Sequence, residues 1–343
     1  MLELSFSAAD VARLRFAFSP LWEIVASIRV LKREEEHAIH RPWAARAKAG
    51  LKAAGVEFPL LSALVPASPQ VIPGFVCPPP RAAAPELSVE LAALRAQPPD
   101  QVRRTLDELP ELSGPHLREL YEDPGTGLSR LAGEMQRYWD AALAPYWPRM
   151  LELLEGDVLH RSRRLAEGGV AALFGDLDDS LAWKDETLRA VTGHTPALQS
   201  LDGRGLLLSP SVFAWPRTYH IVDRDFLPTL RYPPRGVGTL WERRPLSAPR
   251  HLVPVIGRTR ALILAELRAP MSGSALADRT GLTTGAISQH LSALRGAGLT
   301  RAHRHGRFVL HTRTRLGEAL LNEPPQLGES GPAESAGGSD GDP

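Results

Sequence analysis

Residues 274–299 read SALADRTGLTTGAISQHLSALRGAGL, two short helical patterns hinged at a glycine, and few folds accept such a pattern. Two helices packed at a steep angle tolerate few residue types at their closest approach, and Ala277 and Gly281 stand at those points. Gly281 also supplies the positive φ that ends the first helix tightly. Thr283 follows as a cap, its hydroxyl accepting from an orphan backbone N–H of the second helix. Ile287, Leu291 and Leu294 then fall at i, i+4 and i+7, one narrow apolar stripe. The opposite face stays polar: Thr284, Gly285, Ser288, Gln289 and Ser292 are small or carry groups suited to base edges and phosphates. After Gly298 the chain alternates in strand fashion around His305-Gly306, with Arg301, Arg304, Arg307 and Arg313 along or beside a hairpin. An ordinary helical hairpin shares the alanine, glycine and leucine spacing. The threonine cap and the basic hairpin are what favour a helix-turn-helix with a wing.

Charge agrees with that reading. The formal net charge is only +1, yet residues 250–321 hold eleven arginines against Glu266, Asp278 and Glu318, an excess of eight. The tail from Asn322 to Pro343 has five acids and no base, which leaves the first 249 residues at −2. A compact basic module beside a nearly neutral body suits phosphate binding, where arginines release condensed counterions. With only four lysines in the chain, the choice of arginine carries no information; the sign does. Phe308 is the one aromatic residue of the module, which argues against single strands, whose binders stack bases on exposed rings. Double-stranded DNA is the expected partner. The second helix would enter the major groove, and the wing would reach the backbone or minor groove. Candidate DNA contacts are Thr283, Thr284, Gly285, Ser288, Gln289, His290, Ser292, Arg295, Arg301, Arg304, His305 and Arg307.

Residues 252–321 resemble the winged helix of the ArsR family of bacterial transcriptional regulators. The residues that carry the likeness are LADRTGLTTGAISQHLSALRGAGL and RAHRHGRFVLHTRT, with Ser288, His290, Leu291, Leu294, Gly298 and Leu299 at the most characteristic positions. The resemblance implies a homodimer on an inverted repeat and, in founding members, a metal or metalloid held by paired cysteines. This chain departs from that pattern: Cys77 is its only cysteine, so a thiolate site cannot be assembled within one chain. His251, His303, His305 and His311 are of a type that zinc accepts, but two flank the wing turn and a phosphate-facing role is expected. No metal and no cofactor is expected.

The other 250 or so residues allow one sizeable domain or two small ones. Ser7 and Asp10 form a capping-box pattern, and a helix is expected over residues 8–18. Ser19-Pro20 opens another, with Leu21, Ile24, Ile28 and Leu31 burying one face and Glu34 to Glu36 at its exposed end. Further helices are expected at 42–54, 88–96, 100–109, 114–121, 127–147, 148–164 and 166–173. Residues 66–85 hold seven prolines and form an irregular loop. Strand-like texture follows at 205–215, 218–222, 229–232 and 238–241. With FSPLWEIVASIRVL near its start and LLLSPSVFAWP and LRYPPRGVGTLWE near its end, the body resembles an uncharacterised N-terminal domain of actinobacterial ArsR-type regulators. The expected fold is mainly α with small β elements (α+β). A helical body with a small sheet spans 1–244, a winged helix 250–321, and a disordered acidic tail 322–343.

No phosphate loop, nucleophile elbow or zincin spacing is present, so the chain is not expected to be an enzyme. His37 and His40 beside Glu34, Glu35 and Glu36 could bind a metal, with a solvated helix end as the favoured account. Asp176, Asp178 and Asp179 read as a turn and helix cap before Leu181. Trp139, Tyr146, Trp147, Trp183 and Trp215 could line a pocket for a small-molecule effector, with plain core as the favoured account. No leader and no bilayer-length apolar run is seen, so the expected location is cytoplasmic, with no membrane partner. The alternative function is a winged helix that binds protein, on a body with an undetected activity.

Overall fold

A computed structural model describes residues 2–67, 72–109, 113–190, 197–221, 225–241, 247–267, 270–305 and 308–321, without the side chains of 197, 198, 278, 305 and 308. The expected tail at 322–343 lies outside the described residues. The chain opens with β1 (Leu2–Ser5), α1 (Ala8–Ala12) and β2 (Arg15–Phe16). Seven helices follow: α2 (Pro20–Lys32), α3 (Arg41–Ala53), α4 (Pro59–Leu64), α5 (Leu87–Arg95), α6 (Pro99–Asp107), α7 (Pro115–Glu122) and α8 (Pro124–Ala142). The long α9 (Trp147–Phe174) leads into β3 (Leu181–Lys184), β4 (Thr187–Ala190), β5 (Ala197–Ser200), β6 (Leu207–Pro210), β7 (Tyr219–Ile221) and β8 (Thr229–Tyr232). The C-terminal module holds α10 (Val253–Ile256), α11 (Arg258–Glu266), β9 (Met271–Ser272), α12 (Gly273–Thr280), α13 (Thr284–Gly296), β10 (Thr300–His305), β11 (Phe308–Arg313) and α14 (Arg315–Leu321). The α+β class is as expected.

Helix α2 forms the centre of the body. Ser19 caps it, accepting from Trp22 N, and Pro20 takes the first turn, where no N–H is needed. Its apolar spacing predicts one buried face, yet all residues from Pro20 to Val30 are buried. The polar positions are buried because distant backbone groups receive them. Glu23 accepts from Val212 N at 2.9 Å and Phe213 N at 3.3 Å. Glu90 accepts from Leu21 N at 2.8 Å and Ser19 Oγ at 2.7 Å. Arg231 lies 4.1 Å over the Trp22 ring and donates to Cys77 O. Leu21, Ile24, Val25 and Ile28, at most 1 % exposed, each contribute about 2 kcal/mol of burial. The described residues of the proline-rich segment are irregular apart from a tight turn at Gly74–Val76. They also insert Phe75, Val76 and Cys77 into this core.

Two four-stranded sheets replace the single small sheet expected. One has the order β3-β4-β1-β5, the other β2-β6-β8-β7. The N-terminal strand β1 runs antiparallel to β4 and parallel to β5. A second core lies between the sheets and the end of α9, where Phe174 stacks on Trp183 at 5.2 Å.

Several boundaries differ from expectation. The Ser7/Asp10 capping box is present, but α1 ends at Ala12 because residues 15–16 join the second sheet beside Leu207 and Leu208. Helix α4 and strand β1 carried too short a pattern to be read. Helices expected at 148–164 and 166–173 are one element broken at Gly168 and Gly169, the latter at φ 65°. Residues 238–241 are not a strand but a turn over Val237–Thr239 that places Trp241 in the core. Leu181 starts a strand, so the acidic run before it is not a helix cap: Asp178 holds the turn through Ser180 N. His37 and His40 are not a solvated helix end either. Both are buried, His37 Nδ1 bonded to Trp215 O and His40 Nδ1 accepting from Trp241 Nε1. The aromatic residues pack as core: Trp139 meets Trp147 at 5.1 Å, and Trp241 meets Tyr146 at 5.8 Å.

The buried ionisable groups give this body a pH signature. Burial pushes Glu23 and Glu90 from 4.5 up to about 7. Burial, then the neighbouring His37, pushes His40 from 6.5 down to about 3. The carboxyls hold protons in the folded state where the unfolded chain has lost them, so their contribution is present at low pH and is lost as pH rises toward 7. His40 acts oppositely, losing stability as pH falls from 6.5 toward 3. The wild type should therefore gain on E23Q/E90Q by on the order of 3 kcal/mol in unfolding free energy between about pH 8 and about pH 5.5. A pH-independent difference in denaturant titrations would contradict this.

Candidate nucleic-acid interface

Helix α12 begins at Ser272, whose side chain accepts from Ala275 N, and ends at Gly281 in the left-handed region at φ 72°. An added Cβ at Gly281 would meet nothing within 4 Å. The expectation of close helix approach there is therefore corrected: backbone conformation alone demands this glycine. Ala277, 6 % exposed, is packed as expected. Thr283 caps α13, accepting from Ala286 N at 3.3 Å. The stripe Ile287, Leu291 and Leu294 is at most 3 % exposed and meets Ala261, Ile263, Leu264, Leu276 and Leu299. This third core fixes which face of α13 points outward.

The outward face holds Thr284, Gly285, Ser288, Gln289, Ser292 and Arg295, all exposed, with Thr283 at its start and His290 half-buried at its flank. Thr284, Ser288, Ser292 and Arg295 line a groove of about 380 Å³ with Ser272, Gly273, Ser274, Leu291, Val309 and His311. The sequence pattern gives no sign that Ser272, Ser274 and Val309 belong to this surface, which His311, expected to face phosphate, also joins. They come from β9, the α12 N-terminus and β11, and only the fold brings them to α13.

The wing pairs β10 with β11, and β11 with β9. Arg304 stands opposite Val309 and Ala302 opposite His311. Side chains alternate along a strand, so Arg304 shares the groove's face of the sheet, whereas Arg301 and His303 take the other face. Both arginines are exposed. Of His305 only the backbone is described, and Gly306 and Arg307 lie outside the described residues. Burial, then Arg163 and Arg301, hold His303 below its ordinary pKa; burial and Arg295 do the same for His311. Among the described residues of the wing, positive charge near neutral pH is therefore carried by arginine. His251 is tied to the backbone, Nε2 to Leu320 O at 3.0 Å. Among the described residues no three His, Cys, Asp or Glu gather where a metal could be held. No helix among them is long and apolar enough to cross a membrane.

The family model for bacterial regulatory proteins of the arsR family matches residues 259–301. The match takes in nearly all of α11, all of α12 and α13, and the first residues of β10; the body lies outside it. That family is one of DNA-binding regulators and not of enzymes. No curated protein and no solved structure matches the chain. The match falls on the elements whose stripe, cap and turn build the exposed face of α13. The chain carries an arsR-family helix-turn-helix at residues 259–301 and is, by that domain, a DNA-binding transcriptional regulator.

Proposed function

We propose that the chain reads specific double-stranded DNA with α13 in the major groove and the wing on the backbone or adjacent minor groove. The observation that carries this reading is the polar outer face of α13, continuous with the hydroxyls of Ser272 and Ser274 and with Arg295. Thr284, Ser288, Gln289 and Ser292 reach base edges and phosphates, while Arg295, Arg301 and Arg304 hold the backbone, joined by Thr283, His290, His305 and Arg307. Gly285 supports the assignment. It sits in a helix, where glycine costs about 1 kcal/mol, and an added Cβ would meet nothing within 4 Å. Packing within the chain does not require this glycine, and a duplex lying close against the first turn of α13 would account for it. A homodimer on an inverted repeat completes the reading, with the body dimerising or receiving a small-molecule effector. Its place of work is the cytoplasm, where a bacterial chromosome lies.

The test is a duplex selected from genomic fragments, titrated with variants. Q289A should change the base preferred at one position by about 1–3 kcal/mol. R304Q should weaken all duplexes alike and reduce the slope of log affinity against log salt by about 0.9. Salt-insensitive association with a protein, and no preference for any duplex, would leave the interaction-module alternative standing.

A further inference from the structure

Helix α9 lies against the wing and holds both of its edges. The three strands of the wing run in the order β10-β11-β9, and their pairing sets His303, Leu310 and Ser272 opposite one another in a single row. The side chains at the two ends of that row are both engaged by α9. At one edge Ser272 Oγ donates to Glu152. At the other, Arg163 Nη2 donates to His303 Nε2 at 2.5 Å; a guanidinium has only donors, so the imidazole accepts in its neutral form. Leu310, between them, is fully buried.

Glu152, Gly156 and Arg163 fall four and seven residues apart, within about 40° of one another and along about 17 Å of helix. At Gly156 an added Cβ would lie 3.2 Å from Pro270 O and 3.4 Å from Pro270 Cβ, just before β9. A glycine inside a helix costs about 1 kcal/mol, and here packing against the winged helix accounts for it. Another side of α9 is anchored in the body: Asp157 accepts from Tyr232 Oη on β8 at 2.9 Å and from Arg235 N at 3.0 Å. One helix thus joins the body to both edge strands of the wing. The outer face of α13 stays exposed with α9 in place.

We propose that α9 holds the wing at the angle from which Arg304 meets the DNA backbone, with Glu152, Gly156 and Arg163 as positioning residues. This rests on the duplex-binding reading above. Arg304 is exposed and directly follows His303 on β10, so a shift of that edge moves it as well. Helix α13 is fixed by its own core. The body therefore sets how well the wing grips phosphate and leaves the reading of bases alone.

The test uses the full chain, one selected duplex, and affinity measured across about 50 to 200 mM salt. G156V disturbs the seam beside β9, and H303L removes the acceptor on β10. Neither changes the net charge near neutral pH, where His303 is held below its ordinary pKa. Each should reduce the slope of log affinity against log salt by about 0.9, which makes the affinity lost over that range about 3.5-fold smaller. R304Q, which lowers the wild-type slope by about 0.9, should lower it no further in either variant. H303Q, whose amide oxygen can still accept from Arg163, should keep the wild-type slope, and the base preferred opposite Gln289 should not move in any of them. Partial unfolding reduces the bound fraction alike at every salt, so a merely structural role leaves the slope where it was. A further drop of about 0.9 on adding R304Q to G156V or H303L overturns the proposal, because the wing then keeps its place without α9. If R304Q leaves the slope of the wild type unchanged, the assignment of the wing to the DNA backbone fails first and takes this inference with it.

Discussion

Placing a single methyl group at Gly317 is expected to abolish duplex binding while leaving the body folded. A Cβ there would lie 2.2 Å from Leu299 O and 3.2 Å from Leu299 C, with Leu264 Cδ1 at 3.3 Å. The first two are backbone atoms, and that same carbonyl accepts from Thr314 N at 3.0 Å. Thr314 also ties α14 down, donating to Gly298 O and accepting from Gly317 N. Leu299 immediately precedes β10, so the added methyl must displace either α14 or the base of the wing. Overpacking of this kind costs about 3 kcal/mol, a large share of what so small a module has to lose. Gly296, the last residue of α13 with nothing within 4 Å of an added Cβ, is the control: G296A should stabilise the helix by less than about 1 kcal/mol, the figure for a helix interior. Equal binding by G317A and the wild type would contradict the packing described at this end of the winged helix.

The second large effect lies in the body, at Arg161. This side chain is 1 % exposed, with Nε 3.4 Å from Asp157 Oδ1 and Nη1 3.1 Å from Asp176 Oδ2. It also donates to the carbonyls of Asp176 and Leu177 and lies 5.7 Å over the Tyr232 ring. Asp157, equally buried, accepts from Tyr232 Oη at 2.9 Å and Arg235 N at 3.0 Å. The network joins α9 to β8 and the loop behind it. Removing the guanidinium leaves the Asp157 charge buried without its cation, so R161A should lower unfolding free energy by about 3–5 kcal/mol. The pair replaced together, D157N/R161M, should recover part of that loss, because no buried charge is then stranded. Denaturant titration of both variants decides it; a loss under about 1 kcal/mol for R161A would mean that the pair behaves as a solvent-screened surface bridge.

The winged helix was legible because its constraints are local. Gly281, Thr283 and the stripe Ile287, Leu291 and Leu294 act within a few residues, so spacing alone places them. The paired strands of the wing follow from alternation around one turn. The groove beside α13 was half legible: Ser288 and Ser292 share a helix, but Ser272, Val309 and His311 reach it only through the β9-β11 pairing. In the body the signal failed wherever partners are distant. Glu23 reads as a solvent-facing position of α2 until the Val212 and Phe213 amides, 189 and 190 residues on, appear beside it. Strand β1 has four residues and finds its neighbours nearly two hundred residues away. Residues 238–241 carry strand-like composition, but a turn suits them better because it delivers Trp241 to Phe213 and His40. The docking of α9 on the wing left no trace in periodicity, since the Glu152, Gly156 and Arg163 stripe is polar.

The central claim is that this surface reads specific duplex DNA. It is tested most directly by selecting genomic fragments with the purified chain at near-physiological salt and footprinting the enriched duplexes. The account predicts a protected inverted repeat with protection of the backbone flanking each half-site. Fragments no more enriched than random DNA, with no protected positions, would contradict it.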